Sequence, residues 1–303
     1  PLTPYPIEFV LQSTFATLKA SDFKQLETIT LLNQILPKYL EILETITYPP
    51  SLGILLNIFQ LLIRQAPLPI FLENDFLVKL LTCCLTLLTK FGRSDQNSVK
   101  TGTGTELSAE VFKLIAYLLE TLPEEGNSSD ARPFFLTKYE ISVIMRYSTE
   151  DLLNKKMSRK QNAFKILGIL LDKRVDKFLR KTEQLSLSGN GNEQNGDDQL
   201  EEDLSVKNFH DIFKEVLELA INSNLEIVRN QSKKLFIRYI NIEHIIRLKH
   251  VNNYMAILLD NSNFFKLDSG RITAAEILSE MPEKCYIQNE SLLFTVSSML
   301  VKS

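Results

Sequence analysis

Apolar residues recur with a helical period in residues 224–240 of the chain. A period of about 3.6 residues predicts an amphipathic α-helix, and it places on one side Leu225, Val228, Ser232, Leu235, Phe236 and Tyr239. The cations of this stretch fall elsewhere on the helix: Arg229, Lys233, Lys234 and Arg238. One side is therefore expected to pack into a core, while the charged sides face solvent or a neighbouring turn.

The same period predicts helices along most of the chain. They are expected over residues 7–18, 23–36, 51–65, 106–122, 158–171, 204–221, 244–259, 269–281 and 289–301, and from Asn74 or Asp75, as a cap, to Lys90. Pro37 is interpreted as the first turn of a separate helix that ends at Thr47. A capping box of Thr137 and Glu140 begins another helix, with a turn and restart at residues 148–150.

Helices joined by short turns, without a strict repeat length, predict an all-α fold. We expect an α-α superhelix of irregular HEAT-like or armadillo-like helical repeats. Residues 1–182 are expected to form such repeats, with exposed loops near 93–105 and 123–133. Residues 183–203 are polar and acidic, which predicts a disordered loop. Residues 204–303 are expected to continue the same solenoid.

Composition adds little beyond the helical class, but the distribution of charge is uneven. The chain has 10 Gly, 11 Pro and no Trp, and a formal net charge of −3. Basic residues concentrate before the acidic loop, at Lys155, Lys156, Arg159, Lys160, Lys173, Arg174, Lys177, Arg180 and Lys181. Arranged along a ridge, they would neutralise RNA phosphates or an acidic partner without reading bases. The alternative is that they form solvated helix faces, balanced by the acidic loop.

Motifs for catalysis or metal binding are missing from the sequence. His210, His244 and His250 lie on different predicted elements without ligand spacing, so solvated or helix-face positions are expected. Cys83 and Cys84 are adjacent in a Leu-rich segment and are expected to be buried thiols of an intracellular protein. We therefore expect no enzyme, no cofactor, no metal, no small-molecule substrate and no membrane span. The start at Pro1, without an initiator Met, leads us to expect a piece of a longer protein.

Three stretches carry a family resemblance in the same order along the chain. Residues 136–171 contain MSRKQNAFKILGILL, residues 224–240 contain VRNQSKKLFIRYI, and residues 267–278 read LDSGRITAAEIL. Together they resemble the family of small-subunit processome component 20 homologs, which are large HEAT-repeat proteins with a down-regulated-in-metastasis domain. Arg229 and Arg271 are expected to be structural repeat residues, and Arg229 is expected to bond the preceding turn or the next repeat.

The resemblance implies a function that the residues alone do not. It implies a non-enzymatic nucleolar scaffold that supports pre-rRNA processing and small ribosomal subunit assembly. The implied partners are other small-subunit processome proteins, pre-rRNA and the box C/D small nucleolar ribonucleoprotein. A HEAT-repeat transport receptor or coat-type interaction scaffold has the same architecture and stays open as the alternative.

Overall fold

The computed structural model of the chain describes residues 4–67, 69–72, 75–91, 102–121, 136, 138–174, 204–241, 254, 257–258 and 268–281. Regular secondary structure within these ranges is helical throughout, so the predicted all-α class is confirmed. The chain divides into two compact units, Pro1–Leu136 and Thr137–Ser303. The loop that is predicted at residues 183–203 lies outside the described ranges.

The helices of the first unit lie in two rows. They are α1 (Pro4–Ala20), α2 (Leu26–Thr45), α3 (Pro49–Gln65), the four-residue α4 (Pro69–Leu72), α5 (Phe76–Phe91) and α6 (Gly102–Thr121). One row runs α1, α3, α6, and the other contains α2 and α5. Because α2 also contacts α3 and α5 also contacts α6, the chain alternates between the rows. The short α4 lies against α2 and α5.

Helix α3 supplies the centre of this unit's core. It contacts α1, α2 and α6, and this explains why its apolar side chains are fully buried: Leu52, Leu55, Leu56, Ile58, Phe59 and Leu62. Two prolines occupy its first turn, where the missing N–H groups would have no helical partner. Buried Gln60 donates to Oε2 of Glu110 in α6 at 2.9 Å, so its burial leaves the amide satisfied.

Helix α2 passes through Pro37 without a break, and the predicted separate helix is wrong. Proline removes the N–H that would bond the carbonyl of Asn33. Pro37 is exposed, so solvent can compensate that carbonyl. The opposite side of the helix is buried at Leu32, Leu36, Tyr39, Leu40 and Leu43. Burial of a continuous apolar stripe therefore outweighs the local cost of the proline.

The predicted loops agree with the described ranges only in part. Because α6 begins at Gly102, the last residues of the predicted loop 93–105 are helical. A polar sequence with two glycines indicated a loop, yet α6 starts there and buries its later apolar residues against α3 and α5. The remainder of that loop and the loop near 123–133 lie outside the described residues.

The second unit repeats the alternation between rows. It contains α7 (Lys138–Leu153), α8 (Met157–Ile169) with a π-helical extension (Leu170–Arg174), α9 (Leu204–Asn222), α10 (Glu226–Asn241) and α11 (Asp268–Glu280). Helices α7, α9 and α11 form one row, and α8 and α10 form the other. The pairs α7–α8 and α9–α10 pack as consecutive hairpins, and α10 also contacts α11.

Helix α10 is amphipathic as predicted, with one exception. Its buried residues are Val228, Ser232, Leu235, Phe236, Tyr239 and Ile240. Leu225 is 55% exposed rather than buried. The helix begins only at Glu226, so Leu225 precedes the first turn and does not share the buried face. The predicted period therefore holds only from the residue at which the helix starts.

Helix α7 runs without interruption to Leu153, so the predicted turn at residues 148–150 is wrong. The Thr149 hydroxyl donates to the Met145 carbonyl at 3.0 Å, which satisfies it inside the helix. Ser148 is fully buried on the same helix. Residues that favour turns in isolation are thus held in a helix by the packing of α7 against α8 and α9. Thr137 of the predicted capping box lies outside the described residues.

Two glycines allow close helix packing in this unit. A Cβ on Gly270 of α11 would lie 2.5 Å from the Ile221 carbonyl oxygen of α9. A Cβ on Gly168 of α8 would lie 3.3 Å from Nη1 of Arg238 in α10. Of the predicted helix 244–259 only residues 254, 257 and 258 are described, and helix 289–301 lies outside.

Candidate functional site

The turn between α7 and α8 holds the first two residues of the predicted basic ridge. The Asn154 side chain accepts a hydrogen bond from the Lys156 backbone N–H at 2.9 Å. The Asn154 N–H donates to the Asp151 carbonyl at 3.2 Å. This Asx turn fixes the backbone without using the lysine side chains. Lys155 and Lys156 are both exposed, so a partner can reach both cations.

Arg159 of the predicted ridge forms an ion pair within the α7–α8 hairpin. Its Nη2 lies 2.6 Å from Oδ1 of Asp151, with the side chains 14% and 3% exposed. Burial raises the pKa of Asp151 to about 6, while the Arg159 charge opposes that rise. Removing one partner of so buried a pair leaves an uncompensated charge. Arg159 therefore holds the last turn of α7 against the first turn of α8.

Lys160 is also used within the hairpin. Its ammonium group donates to the Leu152 carbonyl in the last turn of α7. Cations at a helix C-terminus satisfy unpaired carbonyls and interact favourably with the helix dipole. Burial lowers the pKa of Lys160. The sequence showed four clustered cations, but two of them stabilise the turn that presents the other two.

The side chains of the remaining ridge residues lie outside the described part of the structure. Lys173 and Arg174 belong to the π-helical extension of α8, and Lys177, Arg180 and Lys181 lie outside the described residues. The extension also carries Asp172, which pairs with Arg238 of α10. Of the four ridge residues whose side chains are described, Lys155 and Lys156 are exposed, and Arg159 and Lys160 are partly buried.

The two predicted structural arginines differ in their surroundings. The Arg229 guanidinium donates to the Ser223 carbonyl at 2.9 Å, in the turn that precedes α10. This is one of the two contacts predicted for it. Arg271, near the start of α11, is exposed. A role for either residue in joining one repeat to the next stays a prediction.

A buried polar ring joins α9 to α10, and the sequence did not reveal it. Nδ1 of His210 is hydrogen-bonded to the Tyr239 hydroxyl, and the Tyr239 and Tyr254 hydroxyl oxygens are 3.0 Å apart. The Tyr254 hydroxyl donates to the His210 carbonyl at 2.9 Å. The Phe213 ring stacks on Tyr239 with centroids 3.9 Å apart. His210 is only 4% exposed, so it takes the helix-face position of the two that were expected, whereas His244 and His250 lie outside the described residues.

Each hydroxyl group has a single proton, and this determines the donor and the acceptor of every hydrogen bond in the ring. A tyrosine hydroxyl donates one hydrogen bond. Tyr254 donates to a carbonyl, so Tyr239 must donate to Tyr254, and Nδ1–H of His210 must donate to Tyr239. Burial raises the pKa of both tyrosines. The ring has a structural role, because its hydroxyl groups are buried and hydrogen-bond residues of different helices to one another. The signal in the sequence was the position of His210 on the apolar side of its helix.

Cys83 and Cys84 are buried, as predicted. Burial, together with a hydrogen bond to Glu44, raises the pKa of Cys83 to about 12. The Cys83 thiol donates to Oε1 of Glu44 at 3.4 Å. Burial also raises the pKa of Cys84 well above its usual value. Both thiols are therefore poor nucleophiles at neutral pH.

Neither a metal centre nor a membrane helix is found in the described ranges. Groups of three or more His, Cys, Asp or Glu that could hold a metal ion do not occur among these residues. Within the same part of the chain, every helix is too short or too polar to cross a bilayer. Comparisons with protein-family models, curated proteins and solved structures return no match.

Proposed function

We propose that the chain is a segment of a HEAT-like α-α superhelix that acts as a non-enzymatic scaffold. The observation that carries the proposal is the alternation of helices between two rows in each unit. In α-solenoids each helical hairpin packs on the next, so that like helices line up in rows and each repeat contacts its neighbours. Rows of this kind offer extended surfaces for protein and RNA partners.

Two of the stretches that resemble the processome family contain residues with clear structural roles. Arg229 bonds the turn before α10, and Gly270 allows α11 to approach α9. These contacts support a stacked-repeat architecture for the second unit. The ribosomal role rests instead on the order of the three stretches, from which we infer a nucleolar scaffold of small ribosomal subunit assembly. Its partners would be processome proteins, pre-rRNA and the box C/D small nucleolar ribonucleoprotein.

RNA contact is proposed at the exposed pair Lys155 and Lys156. Their turn is rigid because Asn154, Asp151 and Arg159 bond it from both sides. Two adjacent exposed lysines can neutralise phosphates but cannot read bases. Binding through this pair should therefore depend on salt and be nearly independent of RNA sequence.

The test compares two double charge reversals in the full chain. Lys155→Glu with Lys156→Glu should weaken binding to precursor small-subunit rRNA and lower the slope of log affinity against log salt by about 2. The same variant should co-sediment less with early small-subunit precursors. Lys214→Glu with Lys234→Glu is the matched control, because these exposed lysines lie on α9 and α10. Arg159 and Lys160 stay unchanged, since their substitution would disturb the hairpin.

Equal RNA affinity in the two double variants would contradict the proposed contact. Ribonuclease treatment tests the ribosomal role itself. Association with precursor particles should fall after treatment if RNA holds the chain in place. A partner that stays bound after ribonuclease, such as a small GTPase or cargo, would instead favour the transport-receptor or coat-type scaffold.

A further inference from the structure

A groove between α2, α4 and α5 in the first unit has a fixed apolar wall. Its volume is about 230 Å³, and Leu36, Leu40, Ile70 and Phe76 line it. The Phe76 ring packs at 6.0 Å from Phe71 and 6.1 Å from Phe59, measured between centroids. A dry cavity of about 150 Å³ accommodates benzene. The groove therefore has room for one aliphatic or aromatic side chain without rearrangement of its wall.

Polar residues of α2 line the same groove beside Leu36 and Leu40. Asn33, Pro37, Glu41 and Glu44 all line the groove, and their spacing of three or four residues puts them on one face of the helix. Because Pro37 has no N–H, the Asn33 carbonyl lacks its usual helical donor. Glu41 is exposed, and Glu44 already accepts a bond from Cys83. These residues offer negative charge and acceptors to whatever enters.

We propose that this groove binds a protein segment in which one apolar side chain is flanked by Lys or Arg. Two carboxylates line the groove against the single ammonium group of Lys79 among its described lining residues. Such a rim attracts a basic flank and repels phosphate, so the partner is a protein segment and not a nucleic acid. The Asn33 carbonyl and Glu41 accept hydrogen bonds from the basic flank, while the apolar residue enters between Leu40 and Phe76. This inference does not rest on the ribosomal role.

The first experiment uses two synthetic helical peptides with one shared stripe of leucines. One peptide carries Lys at the flanking positions and the other carries Glu. Fluorescence anisotropy against the full chain should give about tenfold tighter binding of the Lys peptide. That preference should shrink with added salt, because the attraction is between partly exposed charges. Equal affinity for the two peptides would overturn the proposal.

Two variants of α2 test whether the Lys peptide binds in this groove. Glu41→Gln keeps the size of the side chain and removes the charge, and should weaken binding of the Lys peptide about threefold to tenfold. Glu27→Gln is the matched control, because Glu27 is an exposed carboxylate in the first turn of α2, outside the groove. Glu44 stays unchanged because it bonds Cys83. If the two variants bind the Lys peptide equally well, the groove is not its site.

Discussion

Single atoms decide how closely the helices of the second unit pack. The absent side chain of Gly270 lets α11 approach the carbonyl of Ile221 at the end of α9. Gly53 in α3 is a contrasting case, since a Cβ there would meet no heavy atom within 4 Å. Both glycines lie in helices, yet the first is required by packing and the second is not.

Gly270→Ala should therefore destabilise the second unit. The added Cβ would lie 2.5 Å from a backbone oxygen, which cannot move aside as a flexible side chain can. Overpacking of this kind costs about 1 to 3 kcal/mol of unfolding free energy. Urea denaturation followed by circular dichroism measures the change.

Gly53→Ala is the control for that substitution and should act in the opposite direction. Alanine is favoured over glycine in a helix interior by about 0.5 to 1 kcal/mol. With open space around the new Cβ, that preference should appear as a gain in unfolding free energy. A stabilising effect of Gly270→Ala would contradict the close approach of α11 to α9.

The sequence shows that four cations are clustered at residues 155–160, but not that they have different roles. Lys155 and Lys156 are exposed as a binding surface requires. Arg159 and Lys160 instead bond Asp151 and the Leu152 carbonyl. Sequence spacing shows which cations are neighbours, but not which acceptors a turn brings within their reach. That information appears only when α8 folds back on α7.

At the scale of elements, the α7–α8 hairpin contains a buried carboxyl group whose pKa is raised. Asp151 is buried beside Arg159, and burial raises the pKa of its carboxyl to about 6, against an ordinary value of 3.8. The folded state therefore favours the neutral acid. Its stabilising contribution is complete below about pH 4 and is lost as the pH rises through about 6.

The unfolding free energy of the chain should consequently contain a part that falls by about 3 kcal/mol between pH 4 and pH 7. Asp151→Asn removes the titrating group, so the variant should lose this part of the slope. Urea titrations at intervals of half a pH unit measure it. Glu226→Gln, at an exposed carboxylate in the first turn of α10, should leave the slope unchanged. An unaltered slope in the Asp151 variant would show that another group governs the pH dependence.

In two helices, tertiary packing outweighs the local preference of the sequence for a helix end. Pro37 and residues 148–150 both predicted helix ends, yet α2 and α7 continue through them. In each case an apolar stripe spans the predicted break and contacts neighbouring helices. Propensity differs between residues by about 1 kcal/mol, or 3 for proline, while each buried leucine contributes about 1.5 to 3 kcal/mol. Several buried apolar side chains therefore decide the outcome in each helix.

At the scale of the whole molecule, each unit is an alternation of helices between two rows. Helix α3 contacts α1, α2 and α6, and α9 contacts α7, α10 and α11. Such an arrangement resembles a one-dimensional stack, whose stability is approximately a sum over neighbours. Helices with neighbours on more sides should therefore open less often.

Hydrogen exchange of the full chain tests this gradient. Amides of α3 should exchange more slowly than those of α1, and amides of α9 more slowly than those of α11, since opening of an inner helix breaks more contacts. Mass spectrometry of peptides from the four helices compares the rates within each unit. Equal protection of α1 and α3 would mean that the first unit opens as a single cooperative body.

The sequence by itself determined the helical class, most helix positions and the buried side of α10. These follow from a 3.6-residue period that local chain geometry dictates. Only the tertiary structure decided the two rows in each unit, the passage of α2 through Pro37, the ring of His210, Tyr239 and Tyr254, and the commitment of Arg159 to Asp151. Each of these depends on contacts between residues distant in sequence or across a turn, and hydrophobic periodicity shows which face is buried but not what it meets.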